Sequence, residues 1–326
     1  MMFMGNHPSA CFALALVCAA PLLALAQTYP SKPIRFVVPF PAGGAGDLVV
    51  RPLAQKLSER WREPVVVDNR SGASGALGLQ IAANAPADGH TLALGTASTH
   101  SINPALHRDL PYDPVKDFAP IALLIVIPNV LVAHPSLPVT SVKDLVTLAK
   151  ARPGQLNYSS YGQGSIAQLA AEMMKNTAGL NIVHVVYKGA PQGLSAVIAN
   201  EVQLSFPSVA TGFPQVKAGR LKGLAVTSRA RTPLMADTPT MVEAGIPGFE
   251  ATSWLGTFFQ RGTPKAIVNR VHAETVKILR IPEVKTGFES QGFEVIGDGP
   301  DEFQKFIRSE QRKYAQVVKA AKIHVE

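Results

Sequence analysis

Only two cysteines occur in the 326 residues, Cys11 and Cys18, and both fall within the first 26. The roughly 300 residues beyond them form no disulfide and carry no thiolate nucleophile, so stability must come from core burial. Charge is also missing from the opening: residues 1–26 contain no Lys, Arg, Asp or Glu. Their apolar run "CFALALVCAAPLLALA" ends in the small-x-small pattern Ala24-Leu25-Ala26, which predicts a signal peptide over 1–26 cleaved before Gln27. Val17 ahead of Cys18 argues against lipid attachment. Further on, no apolar run reaches membrane-span length, because "FAPIALLIVIPNVLVAH" is broken by Pro120 and Pro128. Aromatic residues are sparse at 7%, and Lys and Arg give a net charge of +8 without forming a basic run. That balance speaks against nucleic acid and favours small anionic partners.

Familiar chemical signatures are missing as well. There is no G-x-S-x-G, H-E-x-x-H or S-x-x-K, and the seven histidines after residue 26 show no metal-ligand spacing. No catalytic residue, metal or cofactor is expected; a Ser/His/Asp triad assembled from distant positions stays open. His184, on an alternating run, reads as packed or surface-lying.

What the chain does contain is a regular alternation of β-rich and helix-period segments. Residues 34–40, 64–69, 90–96, 129–134, 156–161, 182–188, 202–206 and 221–228 read as strands, several nearly all apolar, as in parallel strands covered on both faces. Between them, Ile166, Leu169, Ala170, Met173 and Met174 mark one buried helix face over 165–178. "SVKDLVTLAKARPG" starts on a Ser141 cap and stops at Pro153-Gly154. Residues 264–291 and 300–322 read as a helical tail around the short strand "FEVIGD". The expected fold is α/β, in two lobes that can close like a hinge, each a mostly parallel open sheet flanked by helices. Crossings near 120–134 and 249–259 give a first lobe of 27–126 plus 253–326 and a second lobe of 127–252.

Ligands in such sheets sit beyond the carboxyl ends of the strands, so the loops there are informative. The first, "PAGGAGD" at 41–47, is neither a P-loop nor a dinucleotide fingerprint: no Gly-Lys-Ser/Thr follows, and Val49 stands where the third small residue belongs. Asp47 is placed to cap the next helix, and Pro52 predicts an irregular start or a kink. Later loops repeat the mix of glycines and hydroxyls: Thr96, Ser98 and Thr99; then Ser160, Gly162, Gly164 and Ser165; then Tyr187, Lys188 and Gly189; then Ser205, Ser208 and Thr211. Neutral donors and helix N-termini suit a small carboxylate without a paired Arg.

These stretches, in order, resemble the solute-binding receptors of tripartite tricarboxylate transporters, the Bug family. The resemblance rests on "YPSKPIRFVVPFPAGGAGD", "VVVDNRSGASGALG", "PADGHTLALGT", "LNYSSYGQGS", "VVYKGAPQGL", "VKAGRLKGLAVTS" and "TPTMVEAGIPGFEATSWLGTF" among others, and covers nearly the whole chain after residue 26. It implies a periplasmic-binding-protein-like fold and a carboxylate-bearing ligand held in the cleft, partly through ordered waters. Carried over by position, the ligand residues are Ala42, Gly43, Gly44 and Asp47, then Ser160, Gly162, Gly164 and Ser165, with Thr96, Ser98, Tyr187, Lys188 and Gly189 beside them. Where the family commonly has an acidic or amide residue, this chain has Pro207 and Ser208, leaving no carboxylate to pair a cationic group on an amino-acid ligand. The resemblance further implies a periplasmic monomer that hands its ligand to membrane permease subunits, with no cofactor and no nucleic acid. A sensor working through a membrane kinase and a secreted hydrolase or lyase are the alternatives.

Overall fold

A computed structural model describes residues 29–323; the expected signal peptide lies outside the described residues. Two sheets form. The first joins β1 (Ile34–Val38), β2 (Val65–Asn69), β3 (Thr91–Thr96), β4 (Phe118–Ile127), β10 (Ser253–Gln260) and β11 (Glu294–Asp298) in the order β11-β4-β10-β3-β1-β2. The second joins β5 (Val130–Ala133), β6 (Asn157–Ser160), β7 (Val183–Val186), β8 (Leu204–Ser205) and β9 (Lys222–Val226) in the order β7-β6-β8-β5-β9. The chain leaves the first sheet after Ile127 and rejoins it at Ser253, and these two residues are paired partners.

Pairing is more mixed than the apolar runs suggest. β1 is parallel to β2 and β3, and β6 to β7 and β8, but β10 is antiparallel to both β3 and β4, β11 to β4, and β5 to both β8 and β9. The reversed strands β5 and β10 are those by which the chain enters the second sheet and returns to the first. An apolar run reports burial on both faces, which an interior antiparallel strand shares with a parallel one.

The Pro-interrupted stretch does hold the expected crossing, between Ile127 and Val130, but its first half also belongs to the ten-residue strand β4. Pro120 is tolerated because β11 pairs only with residues 123–126 of β4, leaving Pro120 on a free edge. Opposite it, the pairing with β10 shifts register between Thr257 and Phe258.

Helices cover the sheets: α1 (Ala45–Trp61), α2 (Ala76–Ala83), α3 (Asn103–Leu106), α4 (Val142–Ala151), α5 (Ile166–Ala178), α6 (Ala190–Ile198), α7 (Val209–Lys217), α8 (Lys265–Leu279), α9 (Pro282–Glu289) and α10 (Pro300–Ala320). α4 begins as expected, with Ser141 Oγ accepting from Asp144 N–H. α1 runs unbroken through Pro52, whose missing N–H frees the carbonyl of Leu48, a residue on the exposed side. One apolar core joins β1, β3, β4, α1 and α8, a second lies under α6 and α7, and a third brings α10 residues Tyr314, Val317 and Val318 together with α5 residues Leu169 and Met174. α10 thus packs on β4 of the first sheet and on α5, a helix that covers the second. No helix among the described residues is long and apolar enough to cross a membrane.

Candidate ligand site

The first glycine loop does what its composition suggests. β1 ends at Val38, the chain turns through Gly43 at φ +83°, and α1 starts behind Gly44 at φ −79°, ψ 175°. A left-handed φ costs a side chain about 1 kcal/mol or more, hence glycine at 43. No side chain caps α1, so the N–H groups of Ala45 and Gly46 have no partner among the described residues. The positive end of the helix dipole points the same way.

Asp47 is not that cap. It lies within the first turn of α1 and its carboxylate reaches back, taking Gly43 N–H at 3.0 Å, Arg51 Nε at 2.6 Å and Asn69 Nδ2 at 3.1 Å. Arg51 above all, with Gly43 N–H and Asn69, holds it below the usual carboxylate range. The side chain is therefore engaged on the loop's own backbone, and its charge is neutralised by Arg51. It braces the loop from behind.

A cavity of about 580 Å³ opens in front of the loop, lined by Phe40–Gly46, Thr96–Ser98, Ile127 and Ser253–Leu255. No ionised side chain lines it. Ala42, Gly43, Gly44, Thr96 and Ser98 are thereby brought together as the sequence predicts. Their roles differ. Thr96 and Thr99 tie one turn, with Thr96 N–H on Thr99 Oγ1 at 2.9 Å and Thr99 N–H on Thr96 Oγ1 at 3.2 Å, whereas the half-buried Ser98 hydroxyl has no protein partner among the described residues.

Behind this turn sits a residue that sequence reading missed as a site element. His100 is fully buried, stacked on Phe258 at 4.0 Å between ring centres, with Nδ1 3.0 Å from Thr99 Oγ1. Burial alone pushes its pKa down to about 3, so it is a neutral wedge and not a charge. Gly95 is required beside it, since a Cβ there would lie 2.5 Å from His100 Cε1. Ile127, Ser253 and Trp254 were missed for another reason: β4 and β10, which carry them, did not read as strands.

The second-lobe residues gather separately, at the ends of β6, β7 and β8. Because β6 and β7 are parallel neighbours, Tyr187 N–H reaches Ser160 O at 2.9 Å. Ser165 caps α5 through Gln168 N–H at 3.4 Å. Gly189 starts α6 without a side-chain cap, Lys188 is exposed, and Ser208 starts α7 with its hydroxyl 3.0 Å from Thr211 Oγ1. None of these residues lines the 580 Å³ cavity. The two lobes, though not the two groups, touch at Gly164, where φ is +70° and a Cβ would collide with Leu106 of α3. His184 is neither simply packed nor simply exposed: its Nε2 lies 2.6 Å from Ser160 Oγ.

Residues 49–323 match the model of the tripartite tricarboxylate transporter family receptor. The protein BugT of Bordetella pertussis is 32% identical over 302 residues, which cover 92% of each chain. Among solved structures, R. palustris Rpa4515 with adipate is 35% identical with a TM-score of 0.78, covering 91% of this chain and 99% of that one. MatC (Rpa3494) from Rhodopseudomonas palustris with bound malate is 29% identical with a TM-score of 0.73, covering 89% and 100%. With these likenesses running almost end to end, the chain belongs to the tripartite tricarboxylate transporter receptor family, whose members are solute-binding proteins.

Proposed function

We propose that this chain is a periplasmic receptor that captures a small carboxylate between its lobes and delivers it to a membrane permease of the tripartite type. The observation that carries the reading is the uncapped start of α1, opening with Ser98 into a cavity that no ionised side chain lines. Unpartnered N–H groups at a helix start, the helix dipole and a free hydroxyl favour an anion, and a carboxylate is satisfied by two or three such donors. Adipate and malate in the two solved relatives support the same ligand class. Ala42, Gly44 and Ser98, with the N–H groups of Ala45 and Gly46, hold the ligand from the first lobe, and Gly43, Thr96 and Asp47 shape the loops. Ser160, Gly162, Gly164, Ser165, Tyr187, Lys188, Gly189 and Ser208 close on it from the second, residues 127–252. Closure is favoured by contacts that the open form lacks.

The test is thermal unfolding of ligand-stripped protein against mono-, di- and tricarboxylates, aromatic acids, acidic amino acids and nucleotides. An acid present about a hundredfold above its Kd adds roughly 2.7 kcal/mol, enough to raise the midpoint by a few degrees. The expected result is a shift for one carboxylate subset, with the acid recovered unchanged. No shift anywhere, or a consumed compound, contradicts the proposal.

A further inference from the structure

The second lobe holds a chain of polar contacts whose proton positions can be read one after another. Gly164 N–H donates to Gln168 Oε1 at 2.7 Å, and since a backbone N–H only donates, the oxygen of that amide is fixed on the loop side. The amide nitrogen must then face the other way, where it meets Gln163 Oε1 at 2.9 Å and His184 Nδ1 at 3.4 Å. Two donors cannot oppose each other, so Nδ1 is the bare, accepting nitrogen and the ring proton sits on Nε2. His184 is consequently the donor in its 2.6 Å contact with Ser160 Oγ. Gly162 N–H also points at that oxygen, from 3.3 Å, which leaves the Ser160 hydroxyl proton a single long partner, Gly162 O at 3.3 Å.

We propose that His184 is a positioning residue for ligand binding: by donating to Ser160 it makes that hydroxyl a donor, matched to an ionised carboxylate and mismatched to an ammonium. The inference rests on the receptor reading above and adds to it a reason for the charge state of the ligand. It also bears on the hydrolase alternative. A Ser–His contact of 2.6 Å has the spacing of a nucleophile and its base, but a base must offer Nε2 as a lone pair. In hydrolases a carboxylate accepts the Nδ1 proton and so keeps Nε2 bare; here Gln168 presents a donor to Nδ1 and imposes the opposite tautomer.

The surroundings keep the ring neutral. It stacks on Tyr158 at 4.8 Å, and the charged groups facing it are Glu172 and Lys175 of α5, paired with each other at 2.6 Å. Burial lowers its pKa from the ordinary value, Glu172 opposes that and Lys175 reinforces it.

Two measurements test the proposal. Long-range proton–nitrogen NMR of His184 in the ligand-free chain at pH 7 is expected to show a protonated Nε2 and a bare Nδ1, with the proton moved to Nδ1 in Gln168→Glu. Adipate and malate titrated into His184→Phe, which keeps the stack on Tyr158, should bind about tenfold more weakly than to wild type while the variant remains folded at the titration temperature. His184→Gln, whose amide can still donate to Ser160, should restore most of the affinity. A bare Nε2 in the wild type, undiminished binding by His184→Phe, or covalent labelling of Ser160 by an organophosphorus fluoride overturns the inference. Because the NMR measurement needs no ligand, its failure removes the His184 assignment and leaves the receptor reading standing. Wild-type protein that binds no member of the carboxylate panel removes both.

Discussion

α1 begins behind Gly44 with nothing capping it, whereas α5 begins behind Ser165, whose hydroxyl accepts the Gln168 N–H, and the preceding Gly164 N–H is already engaged by the Gln168 side chain. Both loops follow a strand, both are rich in glycine, and in both a first-turn side chain takes the N–H of the glycine four residues back. They differ at the cap, where Ser165 engages Gln168 N–H while Gly44 leaves Asp47 N–H without a side-chain partner among the described residues. An anion therefore gains most on reaching the first lobe, where helix N–H groups need a partner. The second lobe contributes fewer, more narrowly directed donors. Composition alone would have made the two loops nearly equivalent; what separates them is the cap residue, Gly44 in the first and Ser165 in the second.

The largest expected effect comes from removing the brace of the open loop. Asp47→Ala deprives Gly43 N–H, Arg51 and Asn69 of their shared acceptor. We expect a loss of about 2 kcal/mol in unfolding free energy and a loss of ligand affinity exceeding tenfold, read by denaturant titration and calorimetry. Equal affinity in this variant would mean that the loop needs no brace and that the contrast between the lobes is superficial.

The same contact fixes a pH dependence. The Asp47 pKa is lowered from the ordinary 3.8, so its contribution is fully present above that value and is lost as the pH falls through the lower native one. The stability gap between wild type and Asp47→Asn should be open at pH 7 and should narrow below about pH 4, as midpoint comparisons at several pH values would reveal. A gap independent of pH would show that the charge of Asp47 is irrelevant and its shape alone matters.

A smaller effect is expected at Gly43. Nothing lies within 4 Å of a Cβ built there, so Gly43→Ala meets no clash and suffers only its φ of +83°, about 1 kcal/mol. Ligand affinity should fall by more than stability does, because the loop relaxes away from the cavity. In the second lobe, Ser165→Ala removes a cap and should cost between about 0.5 and 1 kcal/mol of stability with a smaller loss of affinity than Gly43→Ala. If Ser165→Ala weakened binding more than Gly43→Ala, the assignment of the open donors to the first lobe would be reversed.

How far the sequence disclosed all this depends on what each residue interacts with. The eight strands expected between residues 34 and 228 all form, because short apolar runs bounded by glycine, proline and caps are local signals. β4 was hidden by Pro120, whose tolerance depends on β11, a strand that arrives more than 160 residues later. The glycine loops were legible as candidate ligand loops because a turn with positive φ leaves its mark in composition. Their unequal roles were not. The engagement of Asp47 with Asn69, the wedge of His100 against Phe258 and the contact of His184 with Ser160 all join distant segments, and no local pattern announces them.

The most direct test of the account is a substitution that deletes one open donor without disturbing the fold. Ala45 is the first residue of α1, follows the extended Gly44 and lines the cavity, so proline is sterically suited there and removes only its N–H. Calorimetric titration of Ala45→Pro with the acid that most stabilises the wild type should show at least a tenfold loss of affinity, while the ligand-free unfolding midpoint stays the same or rises. Unchanged affinity in a normally folded Ala45→Pro would contradict the claim that the start of α1 is where the carboxylate is held.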